Sequence, residues 1–524
     1  MSSTPGGVVP RSIPAAVAGI FALVFAAILL VAASAQASAV VYWDNYGADP
    51  DNVGFANVDG SGGGLLNLGS GKLDGPEGMD YDTASNRLFV ANEEGVNGEI
   101  LAINLNGSGA TAFSAPGAPI EEPEGVAIYP PTNTIYWSNV DSETISWAKL
   151  DGSAGGVLNL AGAPVDGPCC RITIDPVGKR VYWVNGGATP NSIGYANLDN
   201  TGGGGELNLA GSTVEPGGEG LAVDDASGRL YFLGGEKVGY ASLNGSGGGD
   251  VSLGSAIIDG PWGLAVDPSI SRLYWANENN GEGEGANALG FAGASNGVGG
   301  NISVANALIN SPQDPVIIKS PSGTGAPALA RDSKVRSLLT CSQGTWASDF
   351  PGAFVYQAPR AYAYQWSRNG QAIAGATATT LNASSAGTYA CTVTATNQTG
   401  SAAQASAGIN VKSAKVKLTT KKKVSVKPGG VAKFKLKGVN QGDIQSKKAR
   451  VCVKLPKSAK GVLKAPKCAT LGKLKGQGKH AAILKIKVGK SAVGTFKVSF
   501  SVHGSPGTSA KAKIVVKAPK TKKK

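Results

Sequence analysis

The sequence predicts an all-β protein, in which a six-bladed β-propeller is followed by two β-sandwich domains. Three observations lead to this prediction. A short aromatic motif recurs six times at steps of 43 to 49 residues, short apolar runs are separated by turns, and Gly (76 residues) and Pro (28) are abundant in the 524-residue chain. A period of about 40 to 50 residues with aromatic and β-branched strands is typical of propeller arrays. A chain of this length exceeds one core, so three domains are expected.

The recurring motif indicates the second strand of each blade. It joins an apolar residue to an aromatic pair or its equivalent, and it ends in Asn in five of the six copies. The copies are Val41–Asn45, Leu88–Asn92, Ile135–Asn139, Val181–Asn185, Leu230–Gly234 and Leu273–Asn277.

An inner strand precedes the motif and enters through a Pro-x-Gly type of turn. Its last residue lies seven positions before the aromatic residue of the second strand, a spacing that fits a hairpin. The copies of this inner strand are 76–82, 123–129, 218–224 and 261–267, and 169–175 takes the same place in the fourth repeat.

A third strand ends in an Asp-Gly or Asn-Gly pair, such as Asp59-Gly60 and Asn244-Gly245. These pairs readily adopt the positive φ that a tight hairpin turn requires. The stretch 59–64 also resembles the start of a calcium loop, but it lacks carboxylates at alternate positions and a terminal Glu. A hairpin turn is the favoured interpretation.

The first repeat has no inner strand before Tyr42, whereas residues 309–318 repeat the inner-strand pattern after the sixth repeat. We therefore expect this last strand to complete the first blade. Such an exchange of strands closes the ring and removes the exposed sheet edges.

The second-strand motif, the Gly-Leu-Ala-Val-Asp inner strand at 263–267 and the Leu-Asp-Gly turn at 150–152 resemble the YWTD repeats of the LDL-receptor family, which are six-bladed propellers. NHL-type propellers share the Pro-x-Gly strand. The resemblance covers about residues 40–318. The Asp that follows Tyr-Trp-Thr in that family is Asn here in five repeats, and we expect this Asn to have a structural role. The cysteine-rich module of those receptors does not follow, so receptor roles do not transfer.

Equivalent positions of a propeller form a ring about its axis, and the start of each inner strand lies at the mouth of the central channel. The residue before the Gly of each inner strand is therefore a candidate binding position. Carboxylates and a Trp that converge there can bind a cation or stack a sugar, although a turn-capping or solvated Glu is the favoured interpretation. The ring consists of Glu77, Glu124, Cys170, Glu219, Trp262 and Gln313.

Cys169 and Cys170 fall in this ring. A vicinal disulfide is one interpretation, although neighbouring Cα atoms, about 3.8 Å apart, are closer than in ordinary bridges. Two free buried thiols are the other, and both remain open.

Residues 319–411 are expected to form the second domain, after a linker at 320–327. Cys341, Trp366 and Cys391 stand in the immunoglobulin order, and Tyr389 precedes the second Cys by two residues, as in a tyrosine corner. This segment resembles bacterial Ig-like modules of surface proteins. In an exported chain, the pairs Cys341 with Cys391 and Cys452 with Cys468 are expected to be disulfides.

Residues 412–516 alternate apolar residues with Lys, as in Val431–Lys437, so each strand buries one face and shows lysine on the other. This predicts a second Ig-like sandwich, followed by a basic tail at 517–524. From Lys412 onward there are 31 Lys and Arg450 against one acid, Asp443, a net charge of +31. Subtraction from 48 basic and 36 acidic residues leaves 16 against 35, or −19, for residues 1–411.

The lysine rows predict a polyanionic partner, because like charges on a β surface repel one another. The candidates are anionic cell-envelope polymers and lipid head groups. Nucleic acid is less favoured, because stacking aromatic residues are missing, and a merely solvated face is the remaining alternative.

The N-terminus predicts a signal peptide at 1–39. It has Arg11, an apolar run from Ala15 to Ala33, and small residues that permit cleavage after Ala37 or Ala39. An uncleaved membrane anchor is the alternative. The bulk of the protein is therefore expected to be secreted or on the cell surface. The chain has two histidines, His480 and His503, which excludes a histidine-dependent metal site or triad in the first 479 residues.

These observations favour a non-catalytic binding or adhesion protein. Its propeller recognises an unknown protein or glycan, and its Lys-rich domain anchors it to an anionic cell surface. No cofactor is expected, although a divalent cation at the ring of carboxylates remains an alternative. A carboxylate- or metal-dependent propeller hydrolase or lyase is the second hypothesis, and a purely structural envelope protein is the third.

Overall fold

The computed structural model describes residues 39–94, 98–217, 220–278, 287–304, 307–348, 354–356 and 358–518, with the backbone alone at Cys170 and 354–356. The predicted signal peptide up to residue 38, the end of the basic tail and Glu219 lie outside these ranges. Regular structure is almost entirely β-strand, with short 3-10 turns at Pro130–Thr132 and Lys457–Ala459. In the part of the chain that the structure describes, no helix is long and apolar enough to cross a membrane.

The chain divides into two compact units. The first comprises Met1–Ser322, Trp346–Ala361 and Ala395–Ala402, and the second comprises Gly323–Thr345, Tyr362–Thr394 and Ala403–Lys524. Each unit is described by itself below. The finer domain boundaries at residues 318, 411 and 516 stay predictions.

The first unit is a β-propeller built mainly from 24 strands of the described chain. They are β1 (Val40–Asn45), β2 (Asn52–Asn57), β3 (Gly63–Leu65), β4 (Pro76–Asp82), β5 (Arg87–Asn92), β6 (Glu99–Asn104), β7 (Ala110–Phe113), β8 (Pro123–Tyr129), β9 (Thr134–Asn139), β10 (Thr144–Lys149), β11 (Gly155–Val157), β12 (Pro168–Asp175), β13 (Arg180–Asn185), β14 (Ser192–Asn197), β15 (Gly205–Glu206), β16 (Leu221–Asp224), β17 (Arg229–Leu233), β18 (Val238–Ser242), β19 (Gly248–Asp250), β20 (Pro261–Asp267), β21 (Arg272–Asn277), β22 (Ala288–Gly293), β23 (Gly299–Ile302) and β24 (Pro312–Lys319).

These strands pair as consecutive antiparallel meanders of four. Strands β4 to β7, β8 to β11, β12 to β15, β16 to β19 and β20 to β23 each form one sheet in chain order. The remaining sheet has the order β24-β1-β2-β3, in which Val41 of β1 is paired with Ile317 of β24. The predicted closure of the ring by the last strand is therefore confirmed.

The inner strands β24, β4, β8, β12, β16 and β20 contact one another in this order, and β20 contacts β24 again. Between neighbouring sheets lie separate apolar clusters, such as the one in which Phe89 of one sheet packs with Trp137 of the next. The aromatic motif thus provides the packing between blades, because its strand is buried on both faces.

The asparagines of the motif are buried and have the structural role predicted for them. In four of the five, the side-chain oxygen accepts a hydrogen bond from the indole N–H two residues earlier, at 2.9 Å for Trp43 to Asn45 and 3.2 Å for Trp137 to Asn139. The same oxygen accepts the backbone N–H of the loop before the inner strand, as from Asn310 to Asn45 at 3.0 Å. Each Asn therefore ties the second strand to the entrance of the inner strand.

The Asp-Gly and Asn-Gly pairs form turns. Asp59 Oδ1 accepts the backbone N–H of Ser61 at 2.9 Å, and Asn244 Oδ1 accepts that of Ser246 at 3.0 Å. This agrees with the hairpin interpretation, because a side chain that bonds to its own backbone two residues on stabilises a turn.

The first unit also contains a short strand β29 (Phe354–Tyr356), which pairs in parallel with β24 on the side away from β1. Its neighbour Arg360 donates from Nη2 to the carbonyl oxygen of Thr83, in the turn after β4. The inner edge of the first sheet is therefore covered at the end of the propeller opposite the starts of the inner strands.

The remaining strands follow in chain order. They are β25 (Gly323–Gly325), β26 (Leu329–Arg331), β27 (Leu338–Cys341), β28 (Thr345–Trp346), β30 (Ala361–Arg368), β31 (Gln371–Ala372), β32 (Thr380–Asn382), β33 (Gly387–Asn397), β34 (Gly400–Ala405), β35 (Ile409–Val411), β36 (Val416–Thr419), β37 (Lys423–Val426), β38 (Val431–Asn440), β39 (Ala449–Lys454), β40 (Leu463–Lys464), β41 (Cys468–Gly472), β42 (Lys479–Val488), β43 (Gly494–His503) and β44 (Ser509–Val516).

In the second unit the disulfide Cys341–Cys391 forms as predicted, and the indole of Trp366 is fully buried. The hydroxyl of Tyr389 donates to the carbonyl oxygen of Ser385 at 2.8 Å, which is the bond expected of a tyrosine corner. The second predicted disulfide, Cys452–Cys468, also forms.

Residues 416–516 form two sheets, with strand orders β36-β38-β42-β40 and β37-β44-β43-β39-β41. One apolar core lies between them, where the rings of Phe434 and Phe500 are 5.0 Å apart. In β38 exposed and buried residues alternate strictly over Val431–Gly438, so Lys433, Lys435 and Lys437 face outward. The predicted alternation of lysine and core residues is confirmed.

Candidate functional site

The inner strands of the propeller approach each other closely at the position after the predicted ring. A Cβ added at Gly78 would lie 2.1 Å from the carbonyl oxygen of Glu124, and one at Gly263 would lie 2.4 Å from the Cα of Asp314. Four of the six equivalent positions are therefore glycine. The other two hold side chains, and these are Arg171 and Asp314.

Arg171 and Asp314 form an ion pair between Nη1 and Oδ1, and their side chains are 4% and 3% exposed. They lie on β12 and β24, which are three steps apart in the ring of six inner strands, so the pair crosses the axis. Asp314 Oδ2 also accepts the backbone N–H of Met79 at 2.6 Å. The pair fills the channel below its mouth.

Two further carboxylates lie beside this pair. Asp80 is buried and accepts the backbone N–H of Ile128, on the next inner strand, at 2.7 Å. Asp44 is fully buried, and neither of its carboxylate oxygens accepts a hydrogen bond of ordinary geometry within the described residues. Burial raises the pKa of Asp44 well above its ordinary value, and the negative charge of Asp314 adds to this effect.

The carboxylate of Glu77 lies at the mouth of the channel. Burial raises the pKa of Glu77 to about 9. The carboxylates of Glu124 and Glu93 are the next largest causes, followed by Asp314 and Glu278. The structure thus brings Glu77 and Glu124 of the predicted ring into electrostatic contact. We name Glu77, Glu93, Glu124 and Glu278 the acidic mouth.

Gln313 and Trp262 of the predicted ring border the acidic mouth. Gln313 is buried. When its amide is oriented so that both its oxygen and its nitrogen have suitable partners, the nitrogen donates to Glu77 Oε2 at 3.3 Å. Trp262 is half-buried and hydrogen-bonds to the side chain of Glu278. Burial raises the pKa of Glu278, and this hydrogen bond opposes the shift.

The sequence-based ring did not include Glu93 and Glu278. Each directly follows the closing Asn of a second strand, Asn92 or Asn277. Because these asparagines pair with the first residue of the inner strand, the residue that directly follows each of them lies at the mouth. The sequence feature that indicates these two residues is therefore a Glu directly after the aromatic motif.

The remaining ring residues do not define a site. Glu219 lies outside the described residues, as does the side chain of Cys170. Cys169 is a free, partly buried thiol. The state of the pair stays a prediction, because the side chain of Cys170 lies outside the described residues.

Acidic residues extend from the mouth over the loops at the same end of the propeller. Burial, and next the negative charge of Glu122, raise the pKa of Glu93. Glu122 in turn shares a hydrogen bond with Asp141, and this bond raises the pKa of Glu122. Arginines lie at the opposite end and stack on aromatic rings of the third strands, as Arg229 does on Tyr240 at 4.0 Å. Arg171 is the exception, since it lies inside the channel and pairs with Asp314.

Within the described ranges, no group of three or more His, Cys, Asp or Glu side chains is arranged to hold a metal ion.

Comparison with known proteins finds distant similarities. No family model matches the chain. A curated relative, Protein cueball of Drosophila grimshawi, is 23% identical over 168 residues, which is 31% of this chain and 26% of that protein. The chain thus spans about a quarter of the length of the curated relative it matches.

Among solved structures, a chain of a nidogen/laminin complex is 14% identical with a TM-score of 0.42, covering 53% of this chain and 98% of that one. Hydrazine synthase of Kuenenia stuttgartiensis is 15% identical with a TM-score of 0.32, over 51% and 74% of the two chains. A gluconolactonase of Xanthomonas campestris is 12% identical with a TM-score of 0.34, over 58% and 92%.

Proposed function

We propose that this chain is an exported binding protein. Its propeller presents the acidic mouth to a positively charged group of a partner, and its Lys-rich sandwich, residues 412–516, holds the protein on an anionic cell-envelope polymer. The single observation that supports this proposal best is the position of the acidic mouth. It lies directly above the part of the central channel that the side chains of Arg171 and Asp314 fill. A ligand is then held at the rim and not deep in the channel.

The proposal includes a finer fold assignment. The first domain is a six-bladed propeller of the YWTD or NHL type, supported by six sheets of the described chain, five with four strands and one to which β29 adds a fifth. Residues 319–411 and 412–516 are Ig-like modules, supported in the first case by Cys341, Trp366 and Tyr389. Two disulfides support an oxidising, extracytoplasmic location.

The carboxyl groups that converge at the acidic mouth favour a cation as its ligand. Glu77 keeps its proton at neutral pH, since burial and the neighbouring carboxylates disfavour its ionised form. A guanidinium or ammonium group placed beside Glu77 favours the ionised form. Binding is therefore expected to release a proton, which distinguishes this site from solvated surface carboxylates.

Calorimetric titration of the full chain with an oligoarginine peptide, in two buffers that differ in ionisation enthalpy, tests the proposal. We expect proton release on binding. The double substitution Glu77→Gln/Glu124→Gln is expected to weaken binding at least tenfold, because each charge-assisted hydrogen bond contributes roughly 1.5–3 kcal/mol. Calcium serves as a second probe in the same titration.

The matched control is Glu206→Gln, which removes an exposed carboxylate from the outer strand β15, away from the mouth. Equal affinity of the double variant, the control and the unmodified chain would refute the role of the acidic mouth.

A further inference from the structure

The Lys-rich sandwich shows unneutralised lysines on both of its outer faces. In the sheet that contains β43 and β44, Lys513 is paired with Lys497 on one side and with Lys423 on the other. All three side chains are exposed. Three ammonium groups therefore stand in one row across three neighbouring strands, about 5 Å apart from strand to strand.

The opposite sheet has the same arrangement. Lys433 of β38 is paired with Lys485 of β42, and Lys487 of β42 is paired with Lys464 of β40. These lysines are also exposed. Because the apolar core lies between the two sheets, the two lysine rows face in opposite directions.

No acidic residue of this sandwich can neutralise the rows. Asp443 is the one acid from residue 412 to the end of the chain. Its carboxylate is 4% exposed and pairs with Arg331 at 2.5 Å and with Arg336 at 3.4 Å. Like charges directly opposite each other destabilise a sheet, so the rows cost folding free energy that an external anion would offset.

Each face also contains a cleft. One, of about 520 Å³, is lined by Lys422, Lys497, Lys511 and Lys513. The other, of about 820 Å³, is lined by lysines of the opposite face, including Lys485 and Lys487, and by apolar residues such as Leu455. A chain-like ligand fits into a cleft between lysines better than a flat ligand, such as a membrane surface, does.

We propose that the Lys-rich sandwich is a two-sided binding site for a linear, phosphate-bearing polymer, with one segment of polymer in each cleft. This inference rests on the proposed function and deepens its anchoring part. Lysine binds phosphate as a point charge and needs no fixed planar geometry, which suits a flexible polymer. A bilayer contacts one of two opposite faces, whereas polymer chains can cover both. One copy of the protein therefore cross-links two polymer segments.

Long-chain inorganic polyphosphate is the probe, and the full chain is used throughout. Binding is measured by calorimetry, and cross-linking by light scattering of the mixture. Lys497→Gln/Lys513→Gln removes one row, and Lys485→Gln/Lys487→Gln removes the other. The control is Lys237→Gln/Lys334→Gln, which changes the net charge equally and leaves both rows intact.

Either pair of row substitutions is expected to lower the affinity of the cleft that it changes about thirtyfold and to abolish cross-linking, since each lysine near an anionic surface contributes about 1 kcal/mol. All four together are expected to abolish binding. The control is expected to behave like the unmodified chain. Since the substituted lysines are exposed, the thermal unfolding of each variant serves to check that it folds.

Three results would overturn the inference. The first is cross-linking that survives either double substitution. The second is an effect of one row alone. The third is tighter binding to phosphatidylserine vesicles than to polyphosphate at equal phosphate concentration. If the unmodified chain binds neither probe, the anchoring role itself is wrong, and this outcome is distinct from the other three.

Discussion

Arg171 and Asp314 are the two residues that replace glycine at the six equivalent positions of the inner strands, and they pair with each other across the ring. The two residues are complementary in charge, whereas a Cβ added at the equivalent Gly78 or Gly263 would meet the backbone of a neighbouring strand. The channel is thus closed by a contact between its first and its fourth sheet.

Replacement of Arg171 alone is expected to destabilise the propeller strongly. Arg171→Met leaves the carboxylate of Asp314 buried without its partner, which costs about 3–5 kcal/mol. The double variant Arg171→Met/Asp314→Asn removes the uncompensated charge and keeps an acceptor for the N–H of Met79. Its loss of unfolding free energy is therefore expected to be smaller than that of Arg171→Met. Urea unfolding of both variants measures the difference, and a double variant less stable than Arg171→Met would contradict it.

Replacement of Glu77 by Gln is expected to stabilise the protein at neutral and alkaline pH. The pKa of Glu77 is about 9 in the folded chain against an ordinary value of 4.5. Between these values the folded chain holds a proton that the unfolded chain releases, so stability falls as the pH rises. Gln carries no such dependence. Urea unfolding at about pH 5 and about pH 9 tests this expectation. The stability curve of Glu206→Gln should keep the slope of the unmodified chain.

Asn45 is expected to stabilise the closure of the ring. Its side-chain oxygen accepts hydrogen bonds from the indole of Trp43 and from the N–H of Asn310, which precedes β24. Asn45→Ala leaves the buried indole and the half-buried N–H of Asn310 without this acceptor, at a cost of about 2–4 kcal/mol. Asn67→Ala, which removes an exposed turn asparagine, is the control and should cost less than about 1 kcal/mol. Thermal unfolding compares the two variants, and equal losses would argue against a role in closure.

Asp443 is expected to stabilise the second unit above acidic pH. Burial raises the pKa of its carboxyl, but the N–H of Lys412 and the guanidinium groups of Arg331 and Arg336 outweigh this effect, so the pKa is lowered. The stability that the ionised form provides is present above the ordinary pKa and is lost as the pH falls through the lowered value. Asp443→Asn is expected to cost about 2–4 kcal/mol at neutral pH.

A pH titration of unfolding distinguishes Asp443→Asn from the unmodified chain. The difference in stability between the two should shrink as the pH falls below the ordinary pKa of 3.8, where the unfolded chain binds a proton that the folded chain does not, until the native carboxylate is protonated as well. A difference that is constant with pH would mean that the ion pairs contribute nothing and that the effect is one of packing.

Much of the propeller could be predicted from the sequence, because its determinants repeat. The period located the strands, and the missing inner strand before Tyr42 matched the surplus strand at 312–319, which pairs with β1. The structural role of Asn45 and its equivalents could also be predicted, because an Asn that recurs in five repeats, in four of them two residues after a Trp, points to a bond within the fold.

The filling of the channel could not be predicted in the same way. Arg171 and Asp314 are 143 positions apart, and each looks like an isolated departure from glycine until the inner strands are placed around one axis. Glu93 and Glu278 were missed for a related reason. They directly follow the second strand, and their position at the mouth depends on the register of that strand with the inner strand.

The pairing of β1 with β24 also determines when the propeller can be completed during synthesis. Until the residues of β24 have left the ribosome, β1 has an unpaired edge that can join a strand of another chain. This contact spans almost the whole first unit, and contacts so distant in sequence form slowly. Newly made chains are therefore vulnerable to aggregation until Lys319 has emerged, and a holdase that binds the early blades would raise the yield of closed rings.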